Sequence, residues 1–237
     1  MDRSGNLPSA GELNGLSGRT LGDYRIVKRV GGGATSEVFL AWQISLGRNV
    51  ALKILREDLA DDEIYVRRFI QEARAAAKLE HPNVVRIYEV GELVDDQLPK
   101  SIWISEKKRR ESSKVYRFIA QEYLPGLSLA QFLKRNGPIS VEQTFVTLEQ
   151  VAAALQCATD AGLIHRDVKP ENIIVDRTGL IRVLDFGLAR PIGPTDATWT
   201  ETRATQVGVA LGTPLYMSPE QARGQTLDAR SDVYSLG

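Results

Sequence analysis

Ile164-His165-Arg166-Asp167-Val168-Lys169-Pro170-Glu171-Asn172-Ile173-Ile174-Val175 sets ionisable side chains and an amide between two apolar runs. A purely structural loop seldom carries so many polar groups beside core strands, because each buried one needs a partner. Thirteen residues after Asn172, the strand-like run Ile181-Arg182-Val183-Leu184 ends at Asp185-Phe186-Gly187. An Asp near a Gly at a strand end suits a plain turn. An Asp and an Asn brought to one place also supply hard oxygen ligands for Mg²⁺, which takes few protein ligands beside water and phosphate.

Upstream, Gly31-Gly32-Gly33 joins two strand-like runs, at 24–30 and 38–41. Glycines there let backbone N–H groups approach anionic oxygens, although three glycines between strands also make an ordinary hairpin turn. Lys53 interrupts the apolar run 50–55 and shares a strand face with Ala51 and Leu55. A lysine so placed either snorkels at a sheet edge or serves a site. In the helix predicted over 63–79, Phe69, Glu72, Ala76 and Leu79 fall on one stripe. The Glu72 carboxylate therefore needs a partner, either Arg68 four residues earlier or Lys53.

The 237 residues include 30 basic and 30 acidic side chains, so no net charge draws the whole chain to nucleic acid or an anionic membrane. The single cysteine, Cys157, excludes an internal disulfide and a cysteine zinc cluster, and two histidines exclude a histidine-rich metal site. No apolar run approaches the roughly 20 residues of a membrane span. The first residues lack the apolar core of a signal peptide, so a cytoplasmic location is expected.

Residues 1–22, rich in Gly, Ser and Asn, read as a flexible tail. Strand-like runs at 24–30, 38–41, 50–55, 84–90 and 115–123, with the helix at 63–79, predict a β-rich lobe over 23–124. A basic insert at 92–114 carries Lys107, Lys108, Arg109 and Arg110 and reads as a solvated loop before a partner's docking patch. Over 125–237 the pattern turns helical. Ser128 can cap a short helix, and Ser140 with Gln143 forms a capping box for a longer one, in which Phe145, Leu148, Val151, Leu155 and Ala158 recur at helical spacing. Gly162 suits its end. Short strands at 173–175 and 181–184 follow, then a polar stretch at 189–212 with five threonines, and helical patterns at 219–223 and from Ser231. The predicted class is α+β: a small antiparallel β lobe with one helix, then a mainly helical lobe.

Together these residues resemble the protein kinase superfamily from about Tyr24 to Gly237, and within it the eukaryotic-like serine/threonine kinases of bacteria. Val50-Ala51-Leu52-Lys53 resembles the family's V-A-I-K strand, and His165 through Asn172 its H-R-D-x-x-x-x-N loop. Asp185-Phe186-Gly187 resembles D-F-G, and Ser218-Pro219-Glu220 stands where the family has A-P-E. Against G-x-G-x-x-G-x-V, Gly31, Gly33 and Val38 fit while Ser36 replaces the third glycine. Lys169, with Gly212-Thr213, is similar to serine/threonine and not tyrosine kinases.

The resemblance implies a bilobal kinase fold, ATP with Mg²⁺ (Mn²⁺ as the alternative ion), and protein substrates bearing Ser or Thr, the chain itself among them. It assigns Val30, Gly31, Gly32, Gly33, Ala34, Thr35, Ser36 and Val38 to the cover over ATP. Ala51, Glu122, Leu124 and Ile174 complete the nucleotide site, with Gln121 as gatekeeper. Lys53, oriented by Glu72, would hold the α- and β-phosphates, and Asn172 and Asp185 the metal. Asp167 would orient the substrate hydroxyl and take its proton, Lys169 would stabilise the γ-phosphate, and Thr213 would bond to both. Arg166 would pair with a phosphothreonine among Thr195, Thr198, Thr200, Thr202 and Thr205, the later two favoured.

Two other classes fit these residues less well. A nucleotide-holding pseudokinase would ordinarily lack Lys53, Asp167 or Asp185, and all three are present. A dinucleotide-binding oxidoreductase needs a glycine loop that opens a helix, and here the loop joins two strands. The resemblance also places 232–237 at the start of the family's central helix, so further helices, and in some relatives a membrane anchor, are expected beyond Gly237. One such helix would supply an arginine for Glu220, and residues 1–237 alone are expected to fold poorly and show little activity.

Overall fold

The computed structural model describes residues 13–95, 114–186, 190–191 and 214–237, without the side chains of Leu13, Asn14, Glu72, Arg190, Pro191 and Pro214. The chain divides into two units. Met1–Arg67 with Tyr88–Tyr123 forms the first, and Arg68–Ile87 with Leu124–Gly237 the second.

The first unit is built on six strands: β1 (Thr20–Leu21), β2 (Tyr24–Gly32), β3 (Ser36–Gln43), β4 (Arg48–Leu55), β5 (Ile87–Asp95) and β6 (Lys114–Glu122). They lie in the order β1-β2-β3-β4-β6-β5. Directly paired residues of antiparallel strands point to the same side of the sheet, so the register sorts the side chains. Phe39 pairs with Leu52 and Leu52 with Ala120; these are buried on one face with Ile26, Ala41, Val50, Ile54 and Phe118. Val38 pairs with Lys53 and Lys53 with Ile119, while Leu40, Ala51 and Gln121 form the neighbouring row. That second face carries the residues expected to meet a nucleotide. Side chains then tie early residues to β5: Arg19 donates to Asp95 at 2.9 Å, and Tyr24 donates to Glu89 at 2.5 Å. Burial, and then the Glu89 bond, push the Tyr24 phenol pKa well up.

The expected flexible tail is corrected here. Residues 1–12 lie outside the described residues, but Leu16 and Leu21 are buried in the core of the first unit, and β1 pairs with β2. Gly18 and Gly22 have φ of +84° and +55°, so the glycines that read as flexibility make turns that only glycine adopts freely. The strand expected at 84–90 begins later, at Ile87, because Val84 bridges in parallel to Val183 of the second unit. Of the basic insert, 92–95 belong to β5 and Lys114 to β6, and 96–113 lie outside the described residues.

The second unit contains α2 (Leu129–Asn136), α3 (Val141–Asp160), α4 (Pro219–Ala222) and α5 (Ala229–Leu236), with most of α1 (Glu63–Ala76), which straddles the division. Its short strands are β7 (Leu127–Ser128), β8 (Leu163–Ile164), β9 (Ile173–Val175), β10 (Ile181–Val183) and β11 (Arg190–Pro191). Capping boxes start α2 at Ser128 and Gln131 and α3 at Ser140 and Gln143, each satisfying N–H groups that a helix start leaves unpaired. Gly162, at φ +74°, follows the end of α3.

The sequence places 63–87 wholly in the first lobe, whereas Ala76, Leu79 and Val84 pack with Val151, Leu155, Leu163, Val183 and Phe186 in the second core. Asn83 secures this segment: its Nδ2 donates to Gln150 Oε1 and to the Ile181 carbonyl, each at 2.9 Å, and its own carbonyl accepts from Val183 N. Phe145, at helical spacing with Leu148 and Val151 and expected to lie partly uncovered in residues 1–237 alone, is exposed, as are Val141 and Val146, while Val151, Ala154 and Ala158 are buried.

Gly126 leads into β7 against β9, and a Cβ built on it would lie 2.5 Å from the Val175 carbonyl oxygen and 2.9 Å from Ile174 Cγ2. Backbone cannot yield as a side chain does, so Gly126→Ala is expected to destabilise the second unit by about 1–3 kcal/mol. A denaturant melt reads this directly; an unchanged midpoint would show that the β7–β9 approach is looser than described.

Candidate active site

The catalytic candidates of the second unit sit between β8 and β9, in a segment whose backbone is fixed by side chains from elsewhere. His165 is fully buried. Its N–H donates to Asp232 Oδ2 at 2.7 Å and the N–H of Arg166 to Asp232 Oδ1 at 2.8 Å. His165 Nδ1 accepts from the Asp167 N–H at 3.2 Å, so the ring proton belongs on Nε2, which faces the Leu184 carbonyl at 2.9 Å. The imidazole also meets the Phe186 ring edge-on at 4.6 Å. Arg166 has φ +68°, in the left-handed region that non-glycine residues adopt only where the surroundings hold them.

These bonds present Asp167. Its Oδ2 accepts from Lys169 Nζ at 2.7 Å and from Asn172 Nδ2 at 3.0 Å. The same Asn172 Nδ2 donates to the Asp167 carbonyl at 2.8 Å, so the amide is oriented by two bonds on its nitrogen side. Asn172 Oδ1 is then turned away from Asp167. Leu184 N donates to the Asn172 carbonyl at 2.8 Å, which ties the backbone just before Asp185 to that of Asn172. Asp185 is itself left-handed, at φ +52°. An amide oxygen and a carboxylate are the donor types that suit a hard divalent cation keeping several water or phosphate ligands.

In the first unit, the glycine-rich turn closes with Gly33 N donating to the Ser36 carbonyl at 2.8 Å. Gly31 and Gly32 end β2, while Ala34 and Thr35 are exposed at the tip. Val30 is the residue at an irregularity between Arg29–Phe39 and Gly31–Val38, so a bulge re-aims this end of β2. Ser36, in place of a third glycine, is buried and pairs with Leu55, as a regular strand residue would. Lys53 is half-buried in the central strand β4 and Ala51 is buried beside it on the same face, so the edge-snorkelling reading of Lys53 falls. Glu122 ends β6 and pairs with Val50. Leu124 and Ile174 are half-buried in the second unit, where Leu124 O accepts from Gly126 N at 2.9 Å. The Glu72 side chain, Gly187, Thr213 and the threonines between 195 and 205 lie outside the described residues.

A sequence model described as the protein kinase domain matches residues 24–237. The chain belongs to the protein kinase family. It is 38% identical over 219 residues to the serine/threonine-protein kinase PrkC of Bacillus subtilis, covering 92% of this chain and 30% of that protein. It is 41% identical over 218 residues to the serine/threonine-protein kinase pkn3 of Myxococcus xanthus, covering 90% and 36%. The chain thus spans about a third of the length of these curated relatives. The crystal structure of the Mycobacterium tuberculosis PknI kinase domain is 27% identical, with a TM-score of 0.65 over 93% of this chain and 71% of that one. The protein-kinase fold and the bacterial serine/threonine-kinase resemblance are therefore as expected.

Sequence reasoning missed two residues of this kinase domain. One is Asp232, whose carboxylate holds the backbone of His165 and Arg166. The other is Gln221, whose Nε2 donates to the Arg166 carbonyl at 2.6 Å. No local pattern marks the first: in α5, Ser231, Asp232 and Ser235 are buried while Val233 and Tyr234 are exposed, the reverse of an ordinary amphipathic pattern. Glu220, expected to meet an arginine, accepts from the Ser231 hydroxyl at 2.5 Å among the described residues. That bond holds its carboxyl below the usual glutamate range.

Asp232→Asn keeps the shape but exchanges one acceptor oxygen for an NH₂ facing a buried N–H. Leaving such a donor unpaired costs about 1–3 kcal/mol, and the left-handed Arg166 loses half its hold. The expected outcome is a lower melting temperature together with faster amide exchange at His165 and Arg166. Wild-type exchange at both would show that the loop holds its form without Asp232.

Proposed function

We propose that this chain transfers the γ-phosphoryl group of ATP to serine or threonine hydroxyls of proteins. The arrangement of Asp167, Lys169 and Asn172 on the loop held by Asp232 is the observation that carries the reading. A carboxylate with one oxygen held by an ammonium and an amide is a fixed acceptor for a hydroxyl proton. In the transfer, the hydroxyl oxygen bonds to the γ-phosphorus while the bond to the β–γ bridging oxygen breaks. The proton passes to Asp167, and ADP leaves. Lys169, 2.7 Å from Asp167, places positive charge where the phosphoryl oxygens would gather negative charge. Lys53 would neutralise the α- and β-phosphates, and backbone N–H groups of the glycine turn would face phosphate oxygens. Asn172 Oδ1 and Asp185 are the groups that would hold Mg²⁺ or Mn²⁺, which when bound offsets phosphate charge.

Relatives named serine/threonine-protein kinases support the hydroxyl acceptor class, and the retained Lys53, Asp167 and Asp185 support turnover over mere nucleotide holding. Dependence on ATP suits a cytoplasmic domain; among the described residues no helix is long and apolar enough to cross a membrane. The same reading extends to regulation: autophosphorylation at Thr202 or Thr205 would place a dianion for Arg166 to pair with.

Asp167→Asn is expected to lower kcat by about 10²–10⁴-fold with little change in the KM for ATP. In the full-length protein, Lys53→Met and Asp185→Asn should each abolish transfer without unfolding either unit. Labelled-phosphate incorporation into a generic protein substrate measures all three, and near wild-type turnover by any of them would sink the mechanism.

For the regulatory step, mass spectrometry after incubation with Mg-ATP should find phosphate on Thr202 or Thr205. Its absence from all five threonines between 195 and 205 would contradict autoactivation.

A further inference from the structure

Gln221 follows the Ser218-Pro219-Glu220 run and carries no reactive group, yet its carboxamide is used at both ends. Oε1 accepts from the Ser218 N–H at 3.2 Å, while the Gln221 N–H donates to Ser218 Oγ at 3.3 Å; together these form the capping box of α4. Nε2 donates to the Arg166 carbonyl at 2.6 Å. Only one orientation of the amide satisfies both neighbours, because Ser218 N–H needs an acceptor and the Arg166 carbonyl needs a donor. The cap therefore aims the donor.

The Arg166 carbonyl belongs to the same planar peptide as the Asp167 N–H. In a trans peptide these two groups point in opposite directions, so holding the carbonyl also sets the direction of the N–H, which donates to His165 Nδ1. That plane is the one from which the Asp167 side chain springs, and it follows a residue at φ +68° that has no intrinsic preference for staying there. Asp232 holds the peptide before Arg166 through the Arg166 N–H. Gln221 holds the peptide after it.

We propose that Gln221 is a positioning residue for Asp167, fixing the Arg166–Asp167 peptide plane through its Nε2 and so linking the placement of α4 to the placement of the proton acceptor. The inference rests on the reading of Asp167 as the group that takes the hydroxyl proton. Its reach is geometric: displacing a reacting group by about 1 Å costs on the order of 10²-fold in rate.

Gln221→Glu separates this role from capping. Glutamate is a natural residue at that position of a capping box, so the Ser218 bond survives, but the donor facing the Arg166 carbonyl becomes a carboxylate oxygen that repels it. In the intact protein, Gln221→Glu is expected to keep the wild-type melting temperature and a KM for ATP within about twofold, and to lose about 10- to 100-fold in kcat. Amide hydrogen exchange, which needs no turnover, should quicken at Asp167 while the amides of Ala154 and Ala158 in α3 keep their protection. Gln221→Ala, which removes cap and donor together, should lose kcat and melting temperature alike. Wild-type kcat in Gln221→Glu overturns the catalytic consequence, and lost kcat with unchanged exchange at Asp167 overturns the route through the peptide plane. A wild-type protein that transfers no phosphate would sink the kinase reading instead, and the exchange comparison would still decide whether Gln221 holds the plane.

Discussion

The carboxylate of Asp232 accepts from two successive backbone N–H groups, those of His165 and Arg166, at 2.7 and 2.8 Å. It is only 3% exposed, and an ionisable group that deep persists where its oxygens are fully used. Everything chemical in the second unit hangs from these two bonds. They oppose the strain at Arg166 and turn the His165 ring so that it bridges the Asp167 N–H and the Leu184 carbonyl. A further backbone bond, from Leu184 N to the Asn172 carbonyl, ties the chain before Asp185 to the same loop. One buried carboxylate thus sets the frame in which the candidate catalytic groups are placed.

The first unit obeys a simpler constraint. Strand alternation sends Phe39, Leu52 and Ala120 to one face and Val38, Lys53 and Ile119 to the other. A one-residue slip of β4 would exchange the lysine with Leu52 and bury a charge in the core. The apolar packing on one side therefore fixes the position of the cation on the other, and stability and function are enforced by the same register. The bulge at Val30 departs from that register where the backbone itself must turn toward the glycines.

The candidate site residues stand out in the sequence because their chemistry is conspicuous in one dimension: a charged loop between apolar runs, an Asp closing a strand, a lysine inside a hydrophobic stretch. The helices of the second unit were legible through their caps at Ser128 and Ser140. What escaped were partners distant in the chain. Asp232 lies 66 residues from Arg166 and Gln221 lies 55 away, and neither carries a local signature beyond a helix start. The sequence does not show that segment 68–87 packs with the second unit, because its helix is amphipathic in either setting and only packing decides which core takes the stripe. Periodicity likewise marks the face of α3 that carries Phe145 and says nothing of what covers it.

Family resemblance begins at Tyr24, but the folded unit begins earlier. Leu16 and Leu21 fill its core, Arg19 reaches Asp95 on β5, and Tyr24 reaches Glu89. β1 and β5 are the two margins of the sheet, and unpaired strand margins invite edge-to-edge association between copies. A chain trimmed to the recognisable kinase sequence would lose β1 and the Arg19 tie to Asp95 at once, uncovering β2. Residues 13–23, which in the sequence look like dispensable leader, thus act as a selvedge that keeps the margin of the sheet from joining another copy.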